Sequence, residues 1–185
     1  MNKLLALLLW ATLAWADTTT QVILPGYVGF TFQTNAAANT MYCHVVVAPF
    51  SINGTKLAAA VTSSSGSAQT CGFAIYNADG STQLAEIAAS CTAAGILTVT
   101  GQTINLTAGT EYTICHCRSA TNVSNTYLTA MNSATAGMNY GPDFLGAATA
   151  HAYEATNTCT TGNPPATTGG SAGATTQGPP ILVIE

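Results

Sequence analysis

From residue 22 onward the sequence is cut into short runs rich in β-branched and aromatic residues, each closed within about ten residues by glycine, asparagine or proline. That spacing leaves no room for a long helix, and no segment keeps a 3.6-residue apolar period beyond about two turns. Residues 22–24 stop at Pro25-Gly26. In 27–33, Val28, Phe30 and Phe32 fall on one face. Residues 41–47 run up to Pro49, and 73–76 enter the turn Asn77-Ala78-Asp79-Gly80, after which 84–89 can pair back as a hairpin. Residues 96–100 and 103–106 flank Gly101-Gln102, Ala108-Gly109 precedes 111–117, and 127–131 is a further candidate strand. The alanine-rich stretch 56–62 is ambiguous between helix and strand. The pattern predicts an all-β chain, an antiparallel β-sandwich of jelly-roll-like type, stabilised by disulfides.

Charge is nearly absent. Three Lys+Arg and seven Asp+Glu make up 5% of the 185 residues, against roughly 25% in an average domain. No basic patch exists to neutralise phosphates, so nucleic acid is excluded as a partner. Threonine, serine, asparagine and glycine must solvate the surface instead.

Residues 1–16 read as a signal peptide: Lys3, an apolar stretch from Leu4 to Trp10, and Ala14-Trp15-Ala16 as the small-x-small cleavage pattern. The apolar run of about 13 residues is short of the ~20 needed to span a bilayer, so no membrane span is expected after cleavage. Residues 17–159 are expected to form the sandwich, 160–180 an unpacked Thr/Gly/Pro-rich linker or loop, and 181–185 a C-terminal strand. The expected location is secreted, extracellular or at the cell surface. Six cysteines, Cys43, Cys71, Cys91, Cys115, Cys117 and Cys159, fit an oxidising compartment and three disulfides, each worth typically 2–4 kcal/mol. Their spacing leaves the 15 pairings open.

Ile181, Leu182, Val183 and Ile184 form the most apolar run outside the leader. A terminal strand on a flexible tether closes its own sheet or enters a neighbour's by strand exchange. A 20-residue tether reaches roughly 25 Å, enough for either.

Candidate chemistry is sparse. On a strand, Cys115 and Cys117 share one face and His116 takes the other, so Cys115-His116-Cys117 does not form one tetrahedral metal site. The two cysteines are instead expected to join different neighbouring segments. Asn77, Asp79, Gly80 and Glu86 partly match a calcium loop, but Ile75 would occupy the first ligand position. A β-turn is the preferred reading and a loop calcium site at Asp79 the alternative; no other cofactor is implied. His44, His116 and His151, with Asp79, Glu86, Asp143 and Glu154, supply no recognised hydrolase pattern. No catalytic residue is therefore assigned. Asn53, Asn105 and Asn122 head N-glycosylation patterns. Tyr27, Tyr112, Tyr127, Tyr140 and Tyr153 are spread along the chain, and Tyr140 and Tyr127, with Asp143, are the expected surface-contact residues.

The stretch Gly72-Phe73-Ala74-Ile75-Tyr76-Asn77-Ala78-Asp79-Gly80, followed by Ile104-Asn105-Leu106-Thr107-Ala108-Gly109-Thr110-Glu111-Tyr112, resembles small β-sandwich domains of phage virion fibres and exported bacterial surface proteins. The closing residues 180–185 resemble the end of such domains. The likeness covers about a third of the chain and consists mostly of turn chemistry. It implies a jelly-roll-like sandwich with a structural or attachment role and carries no functional residue across. The six cysteines and the leader depart from the pattern and fit an exported cellular protein better than a virion component.

The function expected is non-catalytic surface contact: a structural or adhesive component of a cell surface or extracellular appendage, self-assembling by strand addition. The alternatives are a soluble glycan-binding module and, third, a small secreted hydrolase.

Overall fold

The computed structural model describes residues 22–24, 30–33, 37–48, 50–63, 69–119, 124–128, 152–174, 180 and 182–185. Among these the regular elements are strands: β1 (Val22–Leu24), β2 (Phe30–Gln33), β3 (Tyr42–Val47), β4 (Ile52–Ser63), β5 (Thr70–Asn77), β6 (Gln83–Ser90), β7 (Gly95–Leu106), β8 (Glu111–Arg118), β9 (Ser124–Leu128), β10 (Ala152–Ala155), β11 (Ser171–Ala174) and β12 (Leu182–Ile184). No helix among the described residues is long and apolar enough to cross a membrane.

The strands build two antiparallel sheets. The first runs β1-β12-β4-β9-β2, with β7 also paired to β4, and the second runs β11-β10-β3-β8-β5-β6. Early strands pair with late ones in nested fashion, β1 with β12, β2 with β9 and β3 with β8. This nesting is the jelly-roll-like feature of the sandwich.

Strict alternation makes the core. Leu57, Ala59 and Val61 of β4, Ile104 and Leu106 of β7, and Leu182 and Ile184 of β12 pack against Phe73 and Ile75 of β5, Ala85 and Ile87 of β6, and Ile114 of β8. The alanine-rich stretch is thus strand, not helix. Pairing with both β7 and β12 overrides the weak helical preference of alanine. The Gly101-Gln102 pair is also not a hairpin turn. Strand β7 runs straight through it, with Gly101 at φ 74° opposite the register shift between Gly54 and Lys56. A left-handed glycine there forms a bulge rather than reversing the chain.

The second sheet buries its outer face as well. Met41, Cys43, Ala74, Tyr76, Cys115, Cys117, Tyr153, Ala155 and Cys159 form a second apolar cluster. It lies under residues 156–170, a correction to the expected unpacked linker. Thr168 there is fully buried, and the Thr168 amide donates to the Gly80 carbonyl at 2.8 Å while Gly80 holds φ 72°. The Gly162 amide donates to Asn39 Oδ1 at 3.0 Å, and the Tyr76 hydroxyl donates to the Pro165 carbonyl at 2.6 Å. Residues 171–174 then add an edge strand to β10. Composition misleads here because threonine, glycine and proline satisfy the cap through backbone contacts rather than apolar area.

All six cysteines are oxidised. Cys43–Cys115 links directly opposed residues of β3 and β8. Cys71–Cys91 closes the open end of the β5-β6 hairpin, and Cys117–Cys159 fastens the cap to β8. Strand β12 lies between β1 and β4 within its own chain. Beyond it, the Glu185 carbonyl accepts from the amides of Thr55 and Lys56 at 2.8 and 3.0 Å, and the Glu185 carboxylate pairs with Lys56 Nζ.

Candidate functional site

Among the described residues, the six cysteines form disulfides, and His44 and His116 are buried. Cys115 and Cys117 face the outer cluster in two different disulfides. His116 shares the parity of Tyr112 and Ile114, which pack in the inter-sheet core, so it lies on the inner side. Cys115 is joined to β3 and Cys117 to the 156–170 segment, so the two cysteines join two different neighbouring segments. Among the described residues no cluster of three or more His, Cys, Asp and Glu is placed to hold a metal ion.

Asp79 sits in a turn. Its Oδ1 accepts the Ser81 amide at 2.9 Å, and Asn77 Oδ1 accepts the Thr82 amide at 3.0 Å. The Gly80 amide donates to the Asn77 carbonyl at 3.0 Å. The hydrogen bonds from Ser81 hold the exposed Asp79 carboxyl below its ordinary pKa. Glu86 is further on, in β6, and accepts from Gln83 Nε2 at 3.1 Å. The 77–80 segment is therefore a β-turn.

The inner face of the second sheet carries a polar cluster that the sequence did not bring together. Register sets Tyr42 opposite His116 and His44 opposite Ile114. Tyr42 and His116 stack with ring centroids 5.6 Å apart. Arg118 follows on the same face of β8 and is 0% exposed. Burial, with His44 and Arg118 adding like charge, pushes the pKa of His116 well below that of a free imidazole. His116 is thus held neutral while fully buried. The Tyr76 phenol, buried under the cap, is pushed well above its ordinary value, chiefly by desolvation.

What remains exposed is a sheet edge. Strand β7 pairs with β4, and among the described residues no strand pairs with its other side. It is twelve residues long and contains no Lys, Arg, Asp, Glu or Pro. Ile96 is 69% exposed there, and Thr98 and Thr100 are exposed beside it. Leu97 and Val99, on the opposite face, pack on the core. A smaller apolar point lies at the β3-β4 connection, where Val47 and Phe50 are exposed. The readable signal for the edge was a long uncharged β run, which looked like two strands because of Gly101.

The expected contact residues Tyr140 and Asp143 lie outside the described residues. Tyr127 is in β9 opposite Thr31, with its side chain also outside the description. His151 and Ile181 are not described either. Of the other tyrosines spread along the chain, Tyr112 and Tyr153 are buried, Tyr112 accepting the Thr107 amide at 2.8 Å and Tyr153 joining the outer-face cluster, while Tyr27 lies outside the described residues. Leu182 and Ile184 are buried within the sandwich. The glycosylation asparagines Asn53 and Asn105 are exposed and directly opposed across β4 and β7, while Asn122 is not described.

No protein-family model matches the chain, and no curated protein matches it.

Proposed function

We propose that this chain is a non-catalytic exported β-sandwich that works by surface contact, as a structural or adhesive component of a cell surface or extracellular appendage. The observation that carries the reading is β7, twelve residues without charge or proline that pair with β4 on one side and with no strand among the described residues on the other. Soluble proteins guard such edges with lysine, proline, bulges or short length, because unpaired backbone groups recruit other strands. Of these guards β7 carries only the bulge at Gly101, and its neutral length supports a role as a contact surface. The leader sequence and the three disulfides support an oxidising, extracytoplasmic setting. The likeness to fibre and surface-protein sandwiches supports the same role.

Light scattering and electron microscopy of the mature protein, with retention on intact cells measured in parallel, test the reading. Concentration-dependent assemblies or cell retention are expected. A strict monomer that binds no surface, or turnover in a broad hydrolase panel, overturns it.

A further inference from the structure

Two of the N-glycosylation patterns meet at one place in the fold. Asn53-Gly54-Thr55 lies in β4, and Asn105-Leu106-Thr107 runs off the end of β7. Register sets Asn53 directly opposite Asn105. The pairs on either side, Ile52 with Leu106 and Gly54 with Ile104, point the other way. Ile52, Ile104 and Leu106 belong to the core between the sheets, and a Cβ on Gly54 would collide with Ile184. Alternation therefore turns both asparagines to the outer face of the first sheet, where Asn53, Thr55, Asn105 and Thr107 are all exposed. Each pattern thus presents its amide and its hydroxyl to solvent, with a residue other than proline between them. Opposed Cβ atoms in such a pair lie about 5 Å apart.

We propose, resting on the exported half of the reading above and not on the contact role of β7, that Asn53 and Asn105 form a paired N-glycan acceptor site. The donor is an oligosaccharide linked to a polyprenyl diphosphate. The asparagine Nδ2 forms a bond to the anomeric carbon of the first sugar as the bond from that carbon to the diphosphate oxygen breaks. The amide nitrogen gives one proton to base, the polyprenyl diphosphate leaves, and nothing is oxidised or reduced. Asn53 enters the export compartment ahead of all of β7, so β4 meets the transferase before its ladder partner has arrived. In the folded chain a glycan on either asparagine stands over the same cross-strand row. Only 5% of the residues are charged, and a glycan supplies there the hydration that charged side chains supply on other proteins.

The experiment isolates the exported protein from the cells that make it and maps its peptides by mass spectrometry before and after peptide N-glycosidase, which leaves an aspartate where each glycan stood. Glycan on Asn53, on Asn105 or on both is expected. Asn53→Gln and Asn105→Gln together should remove it from this face. So should Thr55→Ala with Thr107→Ala, which keeps both asparagines and breaks only the acceptor pattern. Exported protein unmodified at both positions, or modified at Asn122 alone, overturns the site and leaves export and surface contact standing. Glycan that persists at Asn53 or Asn105 in the threonine variant also overturns it, because the acceptor pattern is then not what directs transfer. Protein kept in the cytosol with its thiols reduced overturns both the site and the exported reading.

Discussion

His116 shows how a single position links burial to solution behaviour. Its pKa in the folded chain lies below the ordinary 6.5 because desolvation, then His44 and Arg118, disfavour the imidazolium. The unfolded chain therefore binds the His116 proton at a higher pH than the folded chain does. Stability from this site is complete above about pH 6.5 and declines as the pH falls below it towards the folded pKa. Thermal melts should show Tm falling between pH 7.5 and 5, and His116→Gln should reduce that fall. An equal pH slope in the variant would remove His116 as the cause. Gly72 is a second decisive position. A Cβ there would collide with the Gly162 carbonyl and lie 2.6 Å from Pro164 Cδ. Overpacking of this kind costs about 1–3 kcal/mol, so Gly72→Val is expected to lower Tm by several degrees. Alternation alone put Cys115, Cys117 and His116 on their correct faces. It gave no sign that Arg118, Tyr42 and His44 join His116, because register between β3 and β8 is not written in either strand.

Among the elements, the cap of residues 156–170 is the one that composition concealed. It is held by Cys117–Cys159, by Asn39 at both Gly162 and Cys159, and by Thr168 on Gly80. A disulfide closing a 42-residue separation restricts the unfolded chain by about 4 kcal/mol on the loop-entropy account. Replacing both Cys117 and Cys159 by Ala should raise amide exchange in 156–170 first, while β5 and β8 stay protected by their ladder and by Cys43–Cys115. A uniform rise across both sheets would mean that the cap is not a separate unit of opening. Strands β3, β5 and β8 were legible from their β-branched and aromatic runs, and β6 from the turn at 77–80 that lets it pair back on β5. The strand nature of residues 56–62 was not, since alanine fits either period and only the flanking strands choose.

At the scale of the whole molecule, so few charges imply that the proposed surface contact carries little electrostatic content. Raising salt from about 0.01 to 1 M shortens the screening length from ~30 to ~3 Å, and self-association should change little over that range. A collapse of assemblies at high salt would instead point to ion-pair contacts. The three disulfides close separations of 72, 20 and 42 residues, for about 3 to 4.5 kcal/mol each on the same account. Full reduction should therefore lower Tm substantially, and a Tm unmoved by reductant would show that the sheets hold without them.

The sequence by itself determined an all-β chain, since two-residue alternation and frequent turn residues exclude long helices whatever the tertiary context. It also placed the two cysteines flanking His116 on one face and His116 on the other, as the alternation of a strand requires. Only the tertiary structure decided the disulfide pairing, the conversion of a threonine- and glycine-rich tail into a packed cap, and the run of β7 straight through Gly101 along β4. Each of these depends on which strands become neighbours. Neighbours come from long-range register, a property of the assembled sheets that no local window of residues contains.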